Sequence, residues 1–507
     1  SEPLTDFARA DARRSMSEAL DHVRRAFGKT YPLVIGGREI ATSETIDSVN
    51  PSRSREVVGR VASAGAEHVE QAVTAAREAF PAWGALRASD RAALLRRVAA
   101  ILRERRFELA AWIICEVGKP WREADADVAE AIDFLEFYSA EMERLERRPR
   151  RRDFPGEENI YVYQPRGVAA VIAPWNFPLA ILTGMTSAAL VAGNTVVMKP
   201  AEQSSVIAAL LMEVFTQAGL PPGVVNFLPG RGEVVGAGLV AHPHVSLIAF
   251  TGSREVGLHI YEQAGRWVPG QPMLKRVIAE MGGKNAIIVD ADADLDEAVA
   301  GVVRSIFGYA GQKCSACSRV IVLEPVAEAF TERLIAAARS LVVGPADDPA
   351  TTVGPVIDAD SRDRILSYIE KGRREGRLLY QATLGDRTAE GYFVPPTIFG
   401  SVPPEATIAQ EEIFGPVVAV LTARDFDEAL AIANGTPYGL SGGIYSRHLE
   451  HIERARREFH VGNLYINRGI TGAIVDRQPF GGFRMSGVGS KAGGPDYLLQ
   501  FLEPKTI

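Results

Sequence analysis

Two of the three cysteines in this 507-residue chain lie three residues apart, in 311-GQKCSACSRV-320, as Cys314 and Cys317. That spacing admits three chemistries: half of a metal site, a redox pair, or one nucleophile with an incidental neighbour. Zinc requires about four ligands, usually from a second CxxC or a histidine pair. The remaining cysteine, Cys115, sits in an apolar helical pattern with no HxxxH-type pair nearby, so no metal is expected. A redox pair needs two accessible thiols at a helix start just after a strand, whereas Cys317 opens an apolar run. A lone cysteine usually behaves as a small buried hydrophobe, which is the reading for Cys115 and Cys317. Cys314 differs because it lies in a glycine-bounded polar loop beside Lys313, and loops on α/β scaffolds carry chemistry. A neighbouring cation and local amide dipoles are expected to favour its thiolate, the reactive form.

A nucleophile needs partners. In 279-AEMGGKNA-286, Glu280 ends a strand pattern and precedes two glycines. A carboxylate facing a neutral interior has a raised pKa and can serve as a base, although on its own Glu280 reads as an ordinary charged strand end. Asn176, in 173-APWNFP-178, follows a strand; its amide could donate to an oxyanion, or simply shape a turn. The segment 251-TGSREVG-257 runs from strand through Gly252-Ser253 into a helix, the arrangement that favours an anion at a helix N-terminus. Gly232 lies in 230-GRGEVVG-236, a loose imitation of a dinucleotide loop. Lys199 and Glu202, in 198-MKPAE-202, end a strand where a ribose could be held at the C-terminal edge of a parallel sheet.

The elements that must position these residues show in the apolar pattern. Residues 4–27 read as a polar surface helix and 33-LVIGGREI-40 as a hairpin around Gly36-Gly37. Helices are expected near 66–80, 89–117 and 121–147, the second capped by Ser89 and ended by Gly118 and Pro120. A hairpin is expected to turn at 155–159 and continue into a strand ending near 166. From Gly167 onward, apolar runs at 168–173, 195–198, 224–228 and 245–250 alternate with helical segments. A second series covers 277–281, 286–290, 319–324, the helix 325–341, 417–421 and the helix 426–434. This alternation is that of βαβ units in a parallel sheet covered by helices. The change of series falls near 270-GQP-272, giving two α/β domains.

Bulk properties narrow the function classes. The chain is 47% hydrophobic and 23% charged, with a formal net charge of −7. An acidic balance argues against nucleic acid as a partner, since polyanions are held by clustered Lys and Arg. The one basic block, RRPRRR at 147–152, reads as a solvated loop at a helix end. The longest apolar stretch, 181–198, is interrupted by Thr, Ser, Asn and Gly and splits into a helix and a strand, so no membrane span is expected. Glu2, Asp6 and Asp11 fit neither a secretion signal nor an acid-poor transit peptide. Three cysteines are reducing-compartment usage, and the expected location is cytoplasmic, or the mitochondrial matrix if a transit peptide has been removed.

The motifs APWNFP, MKPAE, FTGSREVG, EMGGKN, GQKCSACSR, EEIFGP (411–416) and PFGG (479–482), in this order, resemble the aldehyde dehydrogenase superfamily. The resemblance spans nearly the whole chain from about residue 30. It implies two Rossmann-like parallel-sheet domains and a small β-hairpin oligomerisation flap: 1–149 with 167–279 for the cofactor, 280–484 for catalysis, and 150–166 with 485–507 for the flap. It implies NAD as cofactor, with Ala173, Pro174, Trp175, Gly232, Thr251, Gly252, Ser253 and Met281 around it. Lys199 and Glu202 would meet the adenosine ribose, and Glu412 and Phe414 the nicotinamide ribose. Cys314 would attack the aldehyde, Asn176 would hold the oxyanion, and Glu280 would activate water. Phe177 and Phe480 would wall the aldehyde channel, unless they are plain core aromatics.

The stretch 469–501, with KAGGPDYL at 491–498, together with Ser315 after the cysteine and the N-terminal extension, resembles the branch of the family that oxidises L-glutamate γ-semialdehyde. Gly472 and Ala473 would then anchor the substrate carboxylate, Ser315 would add a hydroxyl, and Glu130 and Lys313 would form a supporting ion pair. The chain has no room for a fused proline dehydrogenase domain, which points to the monofunctional form, and a homodimer or dimer-based oligomer is implied. Oxidation of another small aldehyde such as succinate semialdehyde, or a non-catalytic descendant of the fold, are the alternatives.

Overall fold

The structure, a computed structural model, describes residues 1–147 and 154–507. Most of the basic run 147–152, and the start of the hairpin expected over 150–166, lie outside the described residues. Two large sheets organise the rest. The first has eight strands, in the order Gly487–Val488, Arg276–Glu280, Val245–Thr251, Val168–Ile172, Thr195–Lys199, Val225–Phe227, Leu33–Ile35 and Arg38–Ile40. Its five central strands are parallel, and the Leu33–Ile35/Arg38–Ile40 hairpin and the Gly487–Val488 strand add antiparallel edges. The second has seven strands, Arg377–Gln381, Thr397–Gly400, Val417–Ala423, Cys317–Leu323, Asn285–Val289, Ser441–Tyr445 and Asn463–Ile466, of which only the first runs antiparallel.

Central strands such as Val168–Ile172 and Asn285–Val289 are buried along their whole length, because helices cover both faces. That is why they are unbroken apolar runs rather than alternating ones. The 181–198 stretch divides into the helix Ala180–Val191 and the strand Thr195–Lys199. Among the described residues no helix is long and apolar enough to cross a membrane.

Four details depart from expectation. The strand Arg276–Glu280, assigned above to the second series, pairs with Val245–Thr251 in the first sheet, so the crossover to the second sheet is the tight segment 281–284. The helix expected over 89–117 is two helices, Ala88–Glu104 and Arg106–Val117, broken at Arg105. The first of these does not use Ser89 as its cap; the Ala88 N–H donates instead to Glu146 Oε1 at 2.7 Å, across to the end of the helix Trp121–Glu146. Finally, the strand Tyr161–Pro165 pairs antiparallel with the C-terminal strand Leu502–Thr506, a long-range partner rather than a local one.

Candidate active site

The loop carrying Cys314 is held by conformation as much as by contacts. Tyr309, Ala310 and Gly311 all have positive φ, at 51°, 53° and 71°. Left-handed backbone costs a non-glycine residue about 1–3 kcal/mol unless the surroundings enforce it. Here the Tyr309 hydroxyl donates to the Val117 carbonyl at 2.7 Å and its ring is fully buried. Gly311 is required for a second reason: a Cβ there would overlap the Gly415 carbonyl. Beyond this turn, Asn285 Nδ2 donates to the carbonyls of Cys314 (2.7 Å) and Ala316 (2.8 Å), while its Oδ1 accepts from the Ser441 N–H at 3.0 Å. One side chain thus ties the cysteine loop to two adjacent strands of the second sheet. Asn285 lies inside a motif quoted above, but its role was not read from the sequence.

The three cysteines separate cleanly. Cys115 and Cys317 are buried, and burial pushes both thiols up to about 12. Cys314 is partly open to solvent and lines two cavities. The expected thiolate-favouring environment is absent, however. Burial raises the Cys314 thiol, and the Glu280 and Glu412 carboxylates raise it further. Lys313 does not counter them, because its ammonium turns away to Glu123 at 2.7 Å. That contact also replaces the Glu130–Lys313 ion pair. Glu130 instead lines the cavity, raised to about 8 by burial and by the Asp127 carboxylate.

The two cavities meet at Cys314. The smaller, about 260 Å³, is lined by Phe177, Phe480, Tyr138, Glu280 and the Gly472-Ala473 loop, with Ser315 at its base. Glu280 closes the strand Arg276–Glu280; its Oε1 is buried without a hydrogen-bond partner, and burial raises its pKa to about 7. Phe177 is fixed from behind, where Lys119 Nζ lies 3.8 Å from its ring centroid and pairs with Asp127 at 2.6 Å in a fully buried ion pair. Asp127 also accepts the Ala180 N–H at 2.7 Å, at the start of the next helix. Gly472 has φ +76° and open space around it.

The larger cavity, about 660 Å³, is lined by Pro174, Trp175, Thr251, Gly252, Ser253, Met281, Glu412 and Phe414. Trp175 packs edge-on against Phe414 (5.7 Å, 88°) and Tyr309 (6.4 Å, 71°). Glu412 Oε1 accepts the Gly283 N–H at 2.9 Å, and a Cβ at Gly282 would collide with that carboxylate. Ser253 caps the helix Arg254–Ala264 through the Val256 N–H. Lys199, Glu202 and Gly232 do not line this cavity. They form their own cluster, with Glu202 Oε1 3.5 Å from Lys199 Nζ and accepting the Gly232 N–H at 2.8 Å. Ala173 donates its N–H to the Lys199 carbonyl at 3.2 Å, which links the two groups.

Asn176 is buried in the wall of the larger cavity, with Nδ2 donating to the Gln312 carbonyl at 3.0 Å. A carboxamide carries two N–H donors, and this bond engages one of them. A thiol, an amide donor and a carboxylate with a pKa near 7, gathered where a small aromatic-walled cavity joins a larger one, can carry out covalent acyl chemistry.

This chain belongs to the aldehyde dehydrogenase family, whose model matches residues 39–507. It is 53% identical to the 1-pyrroline-5-carboxylate dehydrogenase of Geobacillus kaustophilus (strain HTA426) over 506 residues, 100% of this chain and 98% of the relative. Among solved structures, 1-pyrroline-5-carboxylate dehydrogenase from Thermus with bound NAD superposes with a TM-score of 0.97 at 53% identity, covering 100% of this chain and 98% of that one. Proline utilization A from Bdellovibrio bacteriovorus matches with a TM-score of 0.98 at 52% identity; all of this chain is covered, but it spans only 52% of that longer protein.

Proposed function

We propose that this chain oxidises L-glutamate γ-semialdehyde, the open form of 1-pyrroline-5-carboxylate, to L-glutamate with NAD, a step of proline catabolism. The observation that carries the reading is the meeting of the two cavities at Cys314, with Glu280 on the substrate side and Glu412 on the cofactor side. Full-length relatives bear the name of this activity, and one solved relative holds NAD. The larger cavity suits a dinucleotide: a strand–glycine–helix turn at Thr251-Gly252-Ser253 faces it, and Gly282 lets the Glu412 carboxylate lie against the backbone. NAD, when bound there, supplies the hydride acceptor.

The remaining work falls to side chains. The Cys314 thiol gives up its proton to solvent as Sγ adds to the aldehyde carbon and the carbonyl electron pair moves onto oxygen, and the free Asn176 N–H together with the Cys314 backbone N–H hold the developing oxyanion. Such donors are typically worth about 3–4 kcal/mol each. Once the thioester exists, Glu280 takes a proton from water, which attacks the acyl carbon and releases Cys314. A pKa near 7 leaves enough carboxylate at neutral pH without making it a poor base. Backbone N–H groups at Gly472 and Ala473 hold the substrate carboxylate, and Ser315 supports it. Lys199 and Glu202 hold the adenosine ribose at the far end of the cofactor.

The Tyr161–Pro165/Leu502–Thr506 pair is a two-stranded sheet, marginal by itself, and we infer a dimer or dimer-based oligomer that covers it. Free thiols suit a reducing compartment, the cytoplasm or a mitochondrial matrix. An assay of NADH formation with glutamate γ-semialdehyde, succinate semialdehyde and propanal tests the substrate. A kcat/KM for glutamate semialdehyde no higher than for the other two would overturn it.

A further inference from the structure

Lys491 opens the stretch KAGGPDYL at 491–498. In the structure Lys491 is half-buried, and its ammonium donates to the carbonyls of Gly462 (2.6 Å) and Gly481 (2.5 Å) and lies 3.2 Å from Asn463 Oδ1. Three acceptors match the three N–H donors of an ammonium; burial lowers the Lys491 pKa, and the Glu280 carboxylate opposes that shift. All three acceptors are neutral. The Phe483 ring, 5.7 Å from Nζ to its centroid, is neutral as well. The positive charge is therefore held in place without a carboxylate bonded to it.

Glu280 faces that charge across Gly481. A Cβ on Gly481 would stand 3.8 Å from Glu280 Oε1 and 3.5 Å from Lys491 Cγ, so the bare glycine leaves the space between them open. Glu280 Oε1 has no hydrogen-bond partner of its own. The other titratable groups sensing Glu280 are Cys314, Tyr138 and Tyr497, each raised and so neutral near pH 7. Among the described residues Lys491 is the one cation acting on Glu280, and the effect is mutual.

We propose that Lys491 is a positioning residue for the deacylation half of the reaction: a clamped, unneutralised cation whose field keeps the buried Glu280 ionised, while its clamp holds Gly481 and hence Phe480 against the substrate. The proposal rests on the reading of Glu280 as the water-activating base. Without the cation, burial is opposed only by the hydrogen bond from the Ala492 backbone, and the Glu280 pKa rises. The carboxylate fraction at a given pH falls, and the rising limb of turnover moves to higher pH.

The test uses Lys491→Gln, whose amide can still donate to the carbonyls while removing the charge, and Lys491→Arg, which keeps it. An opposite charge in the near neighbourhood of a carboxylate is worth one or more pKa units. The pH profile of kcat for Lys491→Gln should therefore shift upward by about one unit, with the first-turnover burst of NADH unchanged and KM changed little. Lys491→Arg should retain the wild-type limb. A Lys491→Gln limb superimposing on the wild type overturns the proposal, as does equal loss of burst and turnover, which would mark a mere staple. If Lys491→Gln does not fold, the limb of Lys491→Met, read in the same way, decides the matter. Full turnover by Glu280→Ala would instead remove the base assignment itself, however Lys491→Gln behaves.

Discussion

The two cavities that share Cys314 are built on different principles. The substrate side is walled by bulky side chains brought together from distant parts of the chain: Tyr138 and Glu130 from one long helix, Phe177 from a loop, Glu280 from a strand end, and Phe480 with Gly472 from the region after residue 470. The cofactor side adds backbone at Gly252 and Gly282 to side chains such as Trp175, Glu412 and Phe414, and one of those side chains, Glu412, is itself fixed by the Gly283 N–H at 2.9 Å. The difference teaches where specificity can change. Backbone donors present the same face whatever the side chains do, so the cofactor side tolerates little variation at its glycines. The substrate side can be altered one side chain at a time.

The largest expected effect falls on the wall the cavities share. Cys314→Ser should lower kcat by about 10⁴-fold or more, whereas Cys317→Ala, three residues on and buried in a strand, should stay within about two-fold. Equal losses in steady-state assays would revive the paired-thiol reading and dissolve the distinction between the two cysteines. Next, Glu280→Ala should reduce turnover by about 10²–10⁴-fold while preserving a stoichiometric burst of NADH under stopped flow. The same side chain sets the pH dependence. Glu280 is needed ionised and its pKa is raised to about 7, so deacylation should level off above that pH and fall about tenfold per unit below it. A limb near 4.5 would mean that burial does not govern the group.

Ala473→Val is the sharpest probe of the substrate side. Losing hydrogen bonds to a charged group costs about 1.5–3 kcal/mol, so KM for glutamate semialdehyde should rise about 10- to 100-fold, with propanal hardly affected. An equal rise for both would leave the Gly472 loop a structural turn. The smallest effect belongs to the cofactor side. Glu202→Gln removes a negative charge beside Lys199 and should narrow the preference for NAD over NADP by about five-fold, or roughly 1 kcal/mol. An unchanged ratio of kcat/KM values would place the ribose elsewhere.

The same contrast explains what could be read from the sequence. Buried parallel strands are largely apolar, so the runs 168–173, 245–250 and 319–324 stood out. The strands Ser441–Tyr445 and Asn463–Ile466 did not, because glycines, serine and asparagine interrupt them. Motif residues on short loops were legible because their spacing is local. Pairings across elements were not. Glu123 and Glu130 lie seven residues apart on the helix Trp121–Glu146, two turns and therefore one face, and nothing in the pattern says which of them Lys313 will choose. The thiolate expectation failed for the same reason: sequence adjacency put Lys313 beside Cys314, but the side chain points to the helix. Tyr138, stacked on Tyr497 at 5.4 Å and accepting the Gly493 N–H at 2.8 Å, was an anonymous aromatic in a helical pattern.

The strip from Pro479 to Leu498 closes the substrate cavity through Phe480, Ala492 and Tyr497, and holds Lys491 near Glu280. During synthesis this strip leaves the ribosome after the nucleophile: Phe480 follows Cys314 by 166 residues. At about 5–20 residues per second, that interval is roughly ten to thirty seconds. Throughout it the nascent polypeptide has its thiol and Glu280 but lacks Phe480, Ala492 and Tyr497, which wall the cavity in the folded chain. Translation thus delivers the cysteine early and the last wall of its cavity late, and a chain interrupted between the two would carry Cys314 in an unfinished pocket.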